Sequence, residues 1–309
     1  MSLVLLAPDR NMQPWKEALL NIDPNLDVEI WPGVSNSEKV QYVVAWNQPK
    51  QVLNSYPNLK AVSSLGAGAD HLLKDDSLPE DIPICRVVSP SLVSQMKEYV
   101  LNAVLNYQRN THMYAMQKVK GIWEPHPNKS PEEFTIGIMG LGELGRPTAT
   151  YLAQLEYRVS GWSKSVKNIE NVETYSGKEE LESFLTGCCL LICMLPLTEE
   201  TEGILDLDTF KKLKRPGYLI NVARGEHLVE EDLIYALDKE WMEGALLDVF
   251  SKEPLPESHA FWNREKIMIT PHVSSLTPPE EVAPQIVDNY KRALSGMDLK
   301  HKVDREKGY

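Results

Sequence analysis

Cysteine is scarce in this chain, basic side chains are in deficit, and long apolar runs are missing; each shortage excludes a class of protein. The 309 residues include only four cysteines. Three of them share the apolar run Cys188-Cys189-Leu190-Leu191-Ile192-Cys193-Met194-Leu195. Metal ligands come from turns at regular spacing, so this run reads as a buried strand with reduced thiols. Acidic residues outnumber basic ones 44 to 32, and the net charge of −12 repels polyanions such as nucleic acid or an anionic membrane surface. A small anionic ligand would therefore need a locally placed cation. No apolar run approaches the roughly 20 residues of a membrane span. The start, Met1 to Pro8, is apolar without a positive leader and reads as a first β-strand, not a signal peptide. Together with reduced thiols it points to the cytoplasm. A Gly-x-Ser-x-Gly nucleophile signature is also missing, and His71, His112, His126, His227, His259 and His301 lack metal-ligand spacing. These histidines read as structural or exposed, and no metal is expected.

What is present is alternation. Short apolar runs trade places with amphipathic stretches, the mark of α/β architecture with parallel sheets. Strands are expected at 2–7, 28–30, 42–45, 61–64 and 84–87, and again at 134–139, 158–162, 190–195, 218–221, 244–248 and 267–270. Between the blocks Leu92, Met96, Tyr99, Val100, Ala103, Val104 and Tyr107 recur at three- and four-residue steps, which predicts one long helix from Ser91 to Lys120, ended by Gly121. The length allows two cores. One domain spans residues 100–275; the other joins residues 1–99 to 276–309 and is discontinuous in sequence.

Gly140-Leu141-Gly142-Glu143-Leu144-Gly145 follows the apolar run Phe134–Met139 and precedes a helical stretch, Thr148 to Leu155. Strand, glycine turn and helix in that order make a dinucleotide site, with phosphates at the helix N-terminus. Gly140 permits the turn, Gly142 the approach of the pyrophosphate, and Gly145 close packing of helix on strand. Pro147 fits if it stays in the first helical turn. An NAD site usually carries Asp or Glu about 20 residues onward. Here that place reads Gly161-Trp162-Ser163-Lys164-Ser165, without a carboxylate. Ser163 can hydrogen-bond a 2′-phosphate and Lys164 can neutralise it, so NADPH is favoured over NADH.

Downstream, Asn221-Val222-Ala223-Arg224-Gly225, the run from Leu247 to Leu255 and Thr270-Pro271-His272 occur in order. With Ser64-Leu65-Gly66-Ala67-Gly68-Ala69-Asp70 and the closing Val303–Tyr309, the chain resembles the D-2-hydroxyacid dehydrogenase family over nearly its whole length, and within it the bacterial enzymes that reduce glyoxylate and hydroxypyruvate. The resemblance implies two Rossmann-like doubly wound domains with a cleft between them, the discontinuous one being flavodoxin-like and substrate-binding. It implies that Arg224 binds the substrate carboxylate, that His272 protonates the carbonyl oxygen and that Glu253 holds His272. Leu65, Gly66, Ala67 and Gly68 would offer backbone N–H groups to the carboxylate, with Trp46 and Met96 lining the pocket. Asp248 would meet the nicotinamide amide, and Trp162, Leu195, Pro196, Val222 and Ala223 would complete the cofactor site. A homodimer through the helix and loop of residues 100–133 is likewise implied.

The residue types suit the chemistry. Reduction of a 2-oxo acid needs a hydride, which NADP(H) supplies, and a proton, which a histidinium supplies near neutrality. A carboxylate beside the imidazole favours its charged form. A guanidinium grips a planar carboxylate with two parallel bonds, which Lys cannot copy. Two alternatives stay open: another 2-oxo acid or an NADH-linked enzyme of the same family, and a nucleotide-sensing binding protein of the co-repressor kind on the same fold.

Overall fold

The structure, a computed structural model, describes residues 1–308; Tyr309, last residue of the closing segment and of the domain expected over 276–309, lies outside the described residues. By spatial clustering the chain divides into two units, Met1–Leu92 with the segment from Leu276 onward, and Val93–Ser275. The first changeover falls inside a helix, Pro90–Gln108, somewhat before the expected position at 99/100.

The first unit is a five-stranded parallel sheet of β1 (Ser2–Leu6), β2 (Asp27–Ile30), β3 (Val40–Ala45), β4 (Ala61–Ser64) and β5 (Ile84–Cys85), in the order β2-β1-β3-β4-β5. Parallel strands need crossovers that cover both faces, so their interior positions are apolar in runs. All five residues of β1 are buried, and Val4 and Leu6 pack with Val43, Val62, Leu72 and Ile84 in one core. The strand order is the flavodoxin-like one.

The second unit has seven parallel strands: β6 (Thr135–Met139), β7 (Arg158–Ser163), β8 (Glu173–Ser176), β9 (Leu190–Cys193), β10 (Gly217–Asn221), β11 (Met242–Leu247) and β12 (Ile267–Ile269). Their order is β12-β11-β10-β9-β6-β7-β8. The chain winds outward from β6 to β8, then returns to β9 on the other side of β6. That reversal creates a topological switch point between β6 and β9, where doubly wound sheets bind ligands at their carboxyl edge. Edge strand β8 was not foreseen: Glu173-Thr174-Tyr175-Ser176 has no apolar run, and its residues are only partly buried.

The helix expected over Ser91–Lys120 is two helices, Pro90–Gln108 and Thr111–Lys120. Asn110 takes a left-handed conformation with φ 54°, a position Asn tolerates, and breaks the first helix from the second although the apolar spacing continues. Gly121, with φ 66°, ends the second one as expected. The cysteines are free and buried, as read from the sequence, and burial pushes Cys188 and Cys193 up to about 12. Among the described residues no cluster of potential metal ligands occurs, and no helix is long and apolar enough to cross a membrane.

The helix after the glycine turn spans Gly145–Gln154, which puts Pro147 in its first turn, where N–H groups lack intrahelical acceptors anyway. The three glycines differ in what a side chain would meet. Gly140 has φ +102°, and a Cβ there would lie 2.6 Å from the Met194 carbonyl oxygen. At Gly145 it would lie 1.8 Å from the Gly140 carbonyl oxygen, whereas at Gly142 it would meet nothing within 4 Å. Gly140→Ala should therefore lower unfolding free energy by about 2 kcal/mol or more. Gly142→Ala should leave it within about 1 kcal/mol. Urea unfolding of the two variants checks this, and equal losses would contradict the assigned roles.

Candidate active site

Because the sheet of the second unit is wholly parallel, the loops after β6, β7, β9, β10, β11 and β12 all emerge at its carboxyl edge. Of the expected nucleotide residues, Leu141 is buried against Gly161, while Gly142 and Glu143 are exposed and Leu144 half-buried. The open space above Gly142, at the N-terminus of a ten-residue helix, fits a pyrophosphate approached by backbone. Leu195 and Pro196 follow β9 beside Gly140, whose N–H donates to the Trp162 carbonyl at 2.8 Å. The Pro196 carbonyl accepts from Thr201 Oγ1 at 2.7 Å, which fixes that loop. Val222 and Ala223 are buried at the end of β10.

At the end of β7 the side chain of Trp162 packs in the core, its ring N–H donating to the Gly177 carbonyl at 2.8 Å. Ser163 Oγ donates to the Ser165 carbonyl at 2.8 Å. Lys164 reaches Glu200 at 2.7 Å, and that charged hydrogen bond holds the exposed Glu200 carboxyl below its ordinary range.

Arg224 sits at the head of a single 3-10 turn, Gly225–His227. Asn221, fully buried at the end of β10, clamps it: Asn221 Nδ2 donates to the Arg224 carbonyl at 2.9 Å, and Asn221 Oδ1 accepts from the Ala223 N–H at 3.1 Å. Gly225 is obligatory, since a Cβ there would lie 1.9 Å from the Phe250 carbonyl carbon. That close approach lays the Arg224 loop directly on the loop that carries Glu253.

Asp248 directly follows β11, its carboxylate sealed from solvent. Oδ1 accepts from Thr270 Oγ1 at 2.6 Å and from the Val273 N–H at 2.9 Å, and Oδ2 accepts from the Ser274 N–H at 2.8 Å. The Asp248 carbonyl takes the His272 N–H at 2.8 Å. Tyr99 and Thr270 share a hydrogen bond that extends this network to the long helix. His272 is thereby held at φ 52°, and its Nδ1 lies 2.7 Å from Glu253 Oε2. The other carboxylate oxygen of Glu253 accepts from the Phe250 N–H at 3.0 Å. Burial of the Glu253 carboxyl works against ionisation, but the hydrogen bond from His272, the His272 charge, the Phe250 N–H and the Arg224 charge outweigh it. Its pKa is accordingly below the ordinary value. An ionised Glu253 beside Nδ1 leaves Nε2 as the ring nitrogen able to hand over a proton.

The glycine turn of the first unit differs from expectation in one respect. The Leu65 N–H donates to the Ala45 carbonyl at 3.1 Å and the Gly66 N–H to Ser64 Oγ at 3.2 Å, so neither is available to a carboxylate. The sheet and a side-chain turn claim them first; Ala67 and Gly68 are the members of the turn outside these bonds. Trp46 lies over Gly66, with Arg10 above its ring at 4.6 Å and His71 beside it at 4.9 Å. Met96, 3% exposed, packs with the core of the second unit alongside Val100 and Ala103. Thus Arg224, Glu253, His272 and Asp248 come together on adjoining loops of one sheet, while the Leu65 and Gly66 N–H groups are engaged within the first unit and the Trp162 and Met96 side chains pack in the core of the second. Asn221, Thr270 and Tyr99, which hold these loops, were not singled out from the sequence; Asn221 and Thr270 stand inside the recognised motifs, which was the available signal.

Residues 101–274 match the family model described as D-isomer specific 2-hydroxyacid dehydrogenase, NAD binding domain. Over 314 residues the chain is 35% identical to glyoxylate/hydroxypyruvate reductase A of Yersinia enterocolitica, with all of both chains covered. The crystal structure of a D-isomer specific 2-hydroxyacid dehydrogenase from Xanthobacter autotrophicus, in complex with NADPH and MES, matches with a TM-score of 0.92 at 36% identity, covering 100% of this chain and 99% of that one. An NADPH-dependent glyoxylate/hydroxypyruvate reductase from Sinorhizobium meliloti, in complex with NADP and sulfate, matches with a TM-score of 0.91 at 33% identity over all of both chains.

The buried Asp248 carboxylate gives the geometry its sharpest test. In Asp248→Asn an amide N–H₂ would face N–H and O–H donors. The expected cost is about 2–4 kcal/mol of stability, with loss of the His272 conformation. Denaturant unfolding measures the first, and the histidine ring resonances in NMR report the second; an unchanged variant would refute the anchoring role.

Proposed function

The chain belongs to the D-isomer specific 2-hydroxyacid dehydrogenase family, an oxidoreductase family, and from that premise we propose that it reduces small 2-oxo acids with NADPH, glyoxylate to glycolate and hydroxypyruvate to glycerate. The observation that carries the proposal is the His272–Glu253 pair at 2.7 Å, laid against the Arg224 loop by the close packing of Gly225 on Phe250.

Bound nicotinamide would supply the hydride for the carbonyl carbon. Arg224 receives the substrate carboxylate, since its planar guanidinium can grip both oxygens where Lys could offer only a point charge. His272 donates the proton from Nε2 as negative charge develops on the carbonyl oxygen. Glu253 remains ionised throughout and orients the ring through Nδ1. The turn at Gly140–Gly145, with Leu195, Pro196, Val222 and Ala223, would hold the nucleotide. Ser163 and Lys164 would hold its 2′-phosphate; the lack of an acid at the end of β7 supports NADPH over NADH. Asp248 would meet the nicotinamide amide; its Oδ1 accepts two of the hydrogen bonds described above and its Oδ2 one. The reading extends to a homodimer through residues 100–133, supported by Val119, Ile122 and Trp123 standing exposed there, Trp123 completely so.

Absorbance loss of NADPH and NADH, run in parallel with each oxo acid, tests the proposal. Fast loss of NADPH and slow loss of NADH is the expected result. Nucleotide binding with no turnover on either acid would overturn the proposal in favour of a binding protein. Ser163→Asp should weaken NADPH about tenfold or more by placing a carboxylate against the 2′-phosphate. Unchanged NADPH affinity would show that the β7 loop does not read the nucleotide. The reductive rate should also fall as pH rises, because His272 must carry its proton, and Glu253→Gln should reduce kcat by about 10²-fold. A flat profile from weakly acidic to strongly alkaline conditions would remove His272 as the acid.

A further inference from the structure

His227 is completely buried, yet it lies in neither sheet. Its ring stands between the two halves of the site. Nδ1 is 3.2 Å from the Arg224 backbone N–H nitrogen, and Nε2 is 3.2 Å from the Pro196 carbonyl oxygen. A backbone N–H can only donate, so the bond from Arg224 requires Nδ1 to be an acceptor. The single ring proton then rests on Nε2, which donates to Pro196. The alternative, Nδ1–H donating to the Arg224 carbonyl at 3.2 Å, would strand the Arg224 N–H, and that carbonyl already accepts from Asn221 Nδ2 at 2.9 Å. One neutral tautomer satisfies both the Arg224 N–H and the Pro196 carbonyl.

We propose that His227 is a positioning residue that couples the substrate-binding Arg224 to the Leu195–Pro196 segment of the nucleotide site, fixing both through one imidazole. The inference rests on the functional reading of Arg224 and of that segment given above. A hydrophobic residue at this place would fill the volume equally well but would leave the Arg224 N–H without its acceptor. Thr201 Oγ1 shares the Pro196 carbonyl, so that loop has a second tether, whereas the Arg224 N–H donates to His227 Nδ1.

The two ends of the imidazole can be removed separately. Asn places its amide oxygen near the position of Nδ1 and keeps the acceptor for Arg224. Gln places its amide N–H₂ near that of Nε2 and keeps the donor to Pro196. In H227N the KM for glyoxylate should stay within about twofold of wild type; in H227Q it should rise about tenfold, the size of one buried hydrogen bond. The NADPH Kd, followed by fluorescence, should shift the other way: H227N weakens it about threefold and H227Q leaves it unchanged. H227L should show the KM defect of H227Q. In ¹⁵N-ring-labelled wild type, His227 should give the Nε2-protonated tautomer. Active wild type whose Asn and Gln variants share one kinetic profile, or a His227 ring protonated on Nδ1, overturns the coupling while leaving the functional reading intact. Wild type that binds NADPH but turns over no 2-oxo acid overturns the functional reading instead, and this inference with it.

Discussion

A carboxylate sealed from solvent organises the chemical end of this molecule. Burying an ionised carboxylate without partners costs several kcal/mol, so the chain around Asp248 is obliged to bring donors to it. Thr270 Oγ1 and the N–H groups of Val273 and Ser274 do so, and the segment that follows β12 has to wrap around the carboxylate to deliver them. His272 lies at the middle of that wrap. Its left-handed backbone, which costs of order 1 kcal/mol or more for a residue with a Cβ, is tolerated because the flanking bonds over-determine it. The ring is thus aimed at Glu253 by the backbone it hangs from, before the two side chains interact.

Close approach by glycine plays the complementary part. Gly140 against Met194, Gly145 against Gly140 and Gly225 against Phe250 each bring two backbones nearer than any side chain permits. In sequence they belong to different motifs, but physically they do one job, drawing neighbouring loops of the carboxyl edge onto one another. Gly142 is the exception, with open space where a Cβ would stand. On the proposed reading that open space admits a pyrophosphate to the backbone N–H groups of the helix N-terminus.

Period and punctuation made most of the fold legible beforehand. Buried parallel strands such as Leu190–Cys193 and Gly217–Asn221 are apolar in runs and cannot be mistaken for loops. Strand β8 escaped because an edge strand with polar faces has no such run, and the break at Asn110 escaped because one left-handed residue leaves the apolar spacing undisturbed on either side. Within the site, Arg224, Glu253 and His272 were legible as motif members. The competition for hydrogen bonds was not: nothing in Leu65-Gly66 announces that Ala45 and Ser64 claim those N–H groups first. Nor does spacing reveal that His227, three residues beyond Arg224, turns back onto it, because a single 3-10 turn leaves no periodic trace.

Nucleotide choice, on the proposed reading, follows from what the end of β7 omits more than from what it offers. Lys164 is largely exposed and already engaged with Glu200, and an exposed ion pair of two long side chains is weak and screened by salt. Lys164 can therefore be shared with an incoming dianion at little cost, but by the same reasoning it cannot bind one strongly. The larger effect is the missing carboxylate. An acid at this position would accept both ribose hydroxyls of NADH and repel a 2′-phosphate; Ser163 does neither, and its hydroxyl is held locally by the Ser165 carbonyl until a better acceptor arrives. Selectivity built from an omission is graded: it admits NADPH without strictly refusing NADH, whereas the anchored His272 and the clamped Arg224 leave the chemical step no comparable latitude.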